Sequence, residues 1–158
     1  MAGIYFYGHS NGKPHPHFSN FFPVPGGFEH NEVQFKTSEH ALMYEKALLM
    51  GDAATALKIR NAKNPLDAKR LGRKVKPWNQ ARWEANCEGI MTAILVSKFS
   101  VPAMRPLLAD TGTSNIYEAS PRDKIWGIGI SVAKAEAGGK HDGRNLLGKC
   151  LMRARDSL

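Results

Sequence analysis

The segment TSEHALMYEKALLM, residues 37–50, constrains the chain most. At 100° per residue, Leu42, Leu49, Ala41, Leu48 and Tyr44 spread around the helix, while Glu39, Met43, Lys46 and Met50 share one stripe. A helix that is apolar almost all the way round belongs in an interior, so the rest of the chain must wrap it. Glu39 and Lys46 ride in with it. Seven residues separate them, about 10 Å along the axis, too far for a direct intrahelical salt bridge. Each therefore needs another partner. Desolvation disfavours an ammonium ion, so a buried Lys46 tends toward a neutral amine able to attack a sugar carbonyl or anomeric carbon. The plainer alternative has Lys46 snorkelling to solvent and Glu39 merely complementing the positive helix N-terminus.

The surrounding elements predict a mostly α fold with a small β part, in one domain over residues 1–158. Weak alternation suggests a strand at 3–7, and the Pro- and Gly-rich stretch 8–27 reads as loop. Residues 28–35 alternate as a strand, and Thr37 is the N-cap of the buried helix. Gly51 ends that helix, Asp52 caps a second through 62, and Asn64-Pro65 starts a third to about 74. Residues 79–99 predict the longest helix, 102–109 a short one, 115–119 a strand and 145–156 an amphipathic helix. The glycine-rich segment 138–143 reads as a mobile loop.

No segment approaches the roughly 20 apolar residues of a membrane span, and the first residues lack a secretory pattern. A soluble protein with no membrane partner is expected, cytoplasmic or alternatively nuclear. Cys87 and Cys150 are taken as free thiols. The net charge of +8 suggests an anionic partner, and residues 58–82 concentrate nine basic residues against one acid, Asp67. That run is either a solvated helical face or a surface for nucleic acid or pyrophosphate.

Three other motifs have chemical readings. In SPRDKIWGIG, residues 120–129, Asp123 suits proton transfer or ribose hydroxyls, and Trp126 suits stacking on a base. A turn-forming aspartate and a core tryptophan are the plain alternatives, and the same caution covers Trp78 and Trp83. GRNLLGKC, residues 143–150, has P-loop spacing, but Cys150 stands where a Ser or Thr would hold magnesium and no strand precedes it, which excludes a triphosphate site. Arg144 with the first-turn N–H groups of the last helix still offers a place for one phosphate. His9, His15 and His17 have no cysteine or carboxylate at ligand spacing, so no metal is expected.

Taken together, FSNFF (18–22), TSEHALMYEKA (37–47), LGRKVKPWNQARWEA (71–85), DKIWGIG (123–129) and GRNLLGKCLMRAR (143–155) resemble the NADAR family of YbiA-like N-glycosidases. The matches span nearly the whole chain in the family's order. The resemblance implies a compact YbiA-like α+β domain and hydrolysis of an N-glycosidic bond between ribose and a base, with no metal or redox cofactor. It also implies catalytic roles for Lys46, Glu39 and Asp123, Lys46 as a Schiff-base former and the two acids as proton shuttles. Ser19, Asn20, Phe21, Trp83, Trp126, Gly127, Arg144 and Asn145 are then the expected substrate contacts.

Within that resemblance three functions compete. The favoured one is removal of ADP-ribose from guanine in DNA or RNA, for which the basic run is suited. The second is an N-glycosidase of ribosylamino-pyrimidine phosphates in riboflavin biosynthesis. The third is a non-catalytic ADP-ribose-binding module.

Overall fold

Thr37 is extended, and its Oγ1 accepts the His40 backbone N–H at 3.1 Å, so α1 (Ser38–Leu49) starts where its cap predicts. In the computed structural model, which describes residues 3–158, α1 is buried from Ser38 to Met43 and again at Ala47. Burial is one-sided beyond that, with Leu48 44% exposed, so the helix is enclosed over its first two turns and not along its whole length. The imidazole of His40 locks the buried end: Nε2 donates to the Ala62 carbonyl at 3.1 Å, and Nδ1 meets the Thr37 hydroxyl at 3.0 Å. Burial lowers the pKa of His40, consistent with that neutral ring.

Helices α2 (Ala53–Arg60), α3 (Pro65–Gly72) and α4 (Gln80–Phe99) pack around α1. Side chains of Asp52, Asn64 and Asn79 cap them, each accepting the backbone N–H three residues on. Gly72 lies inside a helix because a Cβ there would sit 2.2 Å from Met43 Sδ. After α5 (Arg105–Ala109), α4 meets the last helix across Met91, Ile94, Leu95, Leu147, Cys150 and Leu151, all essentially inaccessible. Both cysteines are free and buried.

Residues 28–35 are a hairpin instead of a single strand: β2 (Phe28–His30) pairs antiparallel with β3 (Val33–Phe35). Asn31 (φ 48°) and Glu32 (φ 66°) make a two-residue turn with both residues left-handed. The alternation survives because pairing Phe28 with Phe35 returns both rings to the core. The other pairing is parallel and non-local, β1 (Ile4–Phe6) against β4 (Ile116–Glu118).

The following segment carries a short helix that the sequence did not signal, α6 (Val132–Glu136), capped by Ser131. The 138–143 loop is tied down, contrary to expectation. Gly139 N–H donates to Lys134 O and Asp142 N–H to Ile128 O, both at 2.8 Å, and Asp142 pairs with Lys124 at 2.8 Å. Gly143 passes so close to the chain that a Cβ would stand 2.3 Å from Gly127 O. Gly139 and Gly143 allow backbone-to-backbone approach.

The final helix, α7 (Leu146–Asp156), is fastened to β4 by Asn145. Asn145 is left-handed (φ 54°); its Oδ1 accepts Glu118 N–H at 3.0 Å, and its Nδ2 donates to Ile116 O at 2.9 Å. Among the described residues, no helix is long and apolar enough to cross a membrane. Asn145→Ala strands two backbone groups of β4 and is expected to destabilise the protein by about 2–4 kcal/mol, measured by urea unfolding.

Candidate active site

The loop at residues 19–21 is held from below by an amine that sequence reasoning missed. Lys98, on α4, is completely buried; Nζ donates to Ser19 O at 3.0 Å and to Ser38 Oγ at 3.3 Å. Ser38 Oγ in turn donates to Asn20 Oδ1 at 2.8 Å, and Glu39 N–H donates to Asn20 O at 2.9 Å. With no carboxylate beside it, Lys98 has its pKa pushed down to about 7 by burial. The N-terminus of α1 and the 19–21 loop are thereby one unit. His17, beside this loop, packs edge-on against Phe18, and burial lowers its pKa to about 4.

A cavity of about 250 Å³ opens above that unit. Ser19, Asn20 and Phe21 form one side, and Glu39, Leu42, Met43 and Lys46 of α1 form the floor. Trp83 and Trp126 wall it, Lys69 of α3 and Arg73 just past that helix stand at the exposed rim, and Glu118 and Asp123 close it. Thus α1 presents both of its ionisable stripe residues to one space.

Electrostatics inside the cavity are dominated by desolvation. Glu39 is 7% exposed, and burial raises its pKa from 4.5 to about 7 against the opposing pull of Lys69, Lys46 and Arg73. Glu118, at the end of β4, is pushed up to about 8 by burial, with Asp123 and Glu39 adding to the rise. Its Oε2 is out of contact with solvent and has no hydrogen-bond partner among the described residues. Lys46 is partly buried, its pKa lowered by desolvation, while Glu39 pulls the other way. Its Nζ lies 4.8 Å from the Trp78 ring centroid and 5.6 Å from that of Trp83, a cation–π perch at the cavity mouth. Asp123 has two tasks: it lines the cavity, and its Oδ1 accepts the N–H groups of Ile125 and Trp126, both at 2.9 Å. The turn-forming reading of Asp123 therefore holds, at a residue that also lines the cavity.

The structure brings together Lys46, Glu39, Asp123, Ser19, Asn20, Phe21, Trp83 and Trp126. It leaves three expected contacts outside this lining. Both ends of the Asn145 amide are occupied by β4. Gly127 is a packing glycine, where a Cβ would stand 2.8 Å from Asp123 O. Arg144 lines a neighbouring cleft behind Trp83 and Trp126. Nor does the start of α7 offer free N–H groups for a phosphate: those of residues 144–147 donate to the carbonyls of Lys124, Gly127, Ile125 and Trp126, respectively. They hold the 123–127 loop in place.

Two cavity features escaped sequence reasoning. Glu118 sits in a three-residue strand whose short alternation does not reveal a buried acid, and Lys69 and Arg73 were visible only as members of a basic run.

The NADAR domain family model matches residues 5–158. An N-glycosidase of Acanthamoeba polyphaga mimivirus is 37% identical over 160 residues, covering 97% of this chain and 94% of its own. The N-glycosidase YbiA of Escherichia coli is 32% identical over 142 residues, 89% of this chain and 80% of its own. The NMR structure of E. coli YbiA superimposes with a TM-score of 0.76, covering 99% of this chain and 86% of that one at 27% identity. A riboflavin biosynthesis protein of Vibrio vulnificus is 31% identical over 98% of this chain but only 38% of its own length.

Because the folded-state pKa of Glu39 is raised, the folded protein keeps a proton there that the unfolded chain has released between pH 4.5 and about 7. That contribution is full below pH 4.5 and is lost as pH rises through 7. Glu39→Gln is therefore expected to lose about 1–3 kcal/mol less stability than wild type between pH 5 and pH 8 in paired urea titrations.

Proposed function

From its membership of the NADAR domain family, to which this chain belongs, we propose that it is an N-glycosidase acting through Lys46, Glu39 and Asp123 as a single domain spanning residues 1–158. The observation that carries this reading is the meeting, in one cavity, of an amine whose pKa is lowered by burial and a carboxyl whose pKa is raised to about 7. A ribose fits a space of about 250 Å³, with the base against Phe21, Trp83 or Trp126.

In the covalent route, the neutral Lys46 amine attacks the anomeric carbon as the bond to the base nitrogen breaks, and the bond's electron pair leaves with that nitrogen. Glu39 takes the proton that the attached amine sheds, and ring opening gives an imine that water hydrolyses. In the direct route, Glu39 deprotonates water as it attacks an oxocarbenium-like centre. Asp123, anchored by two backbone N–H groups, relays protons beside Glu39.

The preferred substrate is ADP-ribosylated guanine in DNA or RNA. Lys69 and Arg73 at the rim suit the pyrophosphate, and the basic run at 58–82 suits a polyanionic chain beyond it. The likeness to a riboflavin biosynthesis protein favours a second reading, a ribosylamino-pyrimidine phosphate, which needs the same ribose pocket and one phosphate contact. A non-catalytic ADP-ribose reader would have no use for a desolvated lysine facing acids. We place the activity in the cytoplasm, with the nucleus as the alternative; two free thiols suit a reducing compartment.

Incubation with ADP-ribosylated oligonucleotide should release unmodified guanine-containing product, and Lys46→Ala should reduce the rate at least about 1,000-fold. Faster release from the pyrimidine phosphate would favour the second reading, and tight binding without turnover of either would favour the reader. Borohydride added during turnover should fix sugar to Lys46, detected by mass spectrometry; no adduct under active turnover excludes the imine. Arg73→Ala should raise KM about 10-fold with kcat little changed, in steady-state assays of the phosphorylated substrate.

A further inference from the structure

Glu118 is the cavity's most conspicuous group without a task. β4 holds it firmly: its N–H is bonded to Asn145 Oδ1, its carbonyl accepts Ile128 N–H at 2.8 Å, and the strand pairs with β1. The side chain lines the cavity beside Asp123, yet Oε2 is sealed from water with no partner. A buried carboxyl oxygen without a hydrogen bond is costly, and such exceptions in a folded protein call for a functional reason. The same side chain lines the cavity, where a substrate would be.

We propose that Glu118 is the proton donor to the departing base nitrogen. This rests on the N-glycosidase reading and divides the acids within it: Glu39 serves the incoming nucleophile, and Glu118 serves the leaving group. The titratable and charged groups around Glu118 support that division. Burial is the main force holding the proton on Glu118; Asp123 on its loop and Glu39 on α1 add to it by disfavouring a second negative charge, and Lys69 on α3 opposes them. The carboxyl therefore carries its proton at neutral pH. As the glycosidic bond breaks, its electron pair goes to the base nitrogen and the Glu118 proton follows. The proton that Glu39 takes from the incoming amine or water then passes to Glu118, directly or through Asp123, and returns it to its acid form.

The test compares wild type, Glu118→Gln and Glu118→Asp in base release across pH. Glu118→Gln should cut kcat at least about 100-fold with KM within about 3-fold, and the alkaline fall of the wild-type pH profile should disappear. Glu118→Asp should recover part of the rate with an alkaline limb. A kcat within about 3-fold of wild type, or a loss confined to KM, overturns the proposal. Difference infrared spectroscopy decides the protonation independently of turnover and of the variants' activity. A protonated-carboxyl band at pH 7 that vanishes in Glu118→Gln and shifts on adding ribose 5-phosphate supports it; absence of the band in wild type overturns it. If wild type releases no base from any substrate, the parent reading fails by itself, and the infrared result still decides whether Glu118 is a poised acid.

Discussion

Burial of the first two turns of α1 is the constraint from which the rest follows. Ser38 to Met43 cannot be enclosed by α2, α3 and α4 without Glu39 entering too, and a carboxyl out of water holds its proton. Lys46, two turns on, emerges where enclosure ends, so a single helix offers a sealed acid and a half-sealed amine to the same cavity. The fold thereby uses the cost of desolvation to set two proton affinities toward neutrality from opposite sides.

The buried lysine below the site extends this logic. Lys98 spends its hydrogen bonds on Ser19 O and Ser38 Oγ, joining α4 to the 19–21 loop and to the α1 N-terminus. The opposite wall is built the same way: Asp123 Oδ1 caps the 123–126 turn, the first N–H groups of α7 hold carbonyls of residues 124–127, and Asn145 pins β4. Several polar groups that resemble ligand contacts in a linear reading also form the frame that places Trp126 and Glu118. A frame of this kind limits movement of the acids relative to the sugar site, which proximity catalysis requires.

Much of this was legible in the sequence. Thr37, Asp52 and Asn64 announced their helices because an N-cap is a local interaction spanning three residues. The errors share a cause. A tight left-handed turn at Asn31-Glu32 leaves the alternation of 28–35 intact, so one strand and a hairpin look alike. Glycines at 139 and 143 look flexible until a neighbouring backbone is known to press against them.

The sequence alone determined most of the helical framework, the entry of α1 into the core with its acid and amine, and the family, since each depends on residues near one another in the chain or on motifs read in order. Only the tertiary structure decided which polar residues face the cavity. β1 pairs with a strand more than a hundred residues away, and that pairing, with α7 behind it, turns Glu118 inward while consuming Asn145. Whether a polar side chain is left for a ligand depends on which distant backbone groups claim it first, and no local pattern carries that information.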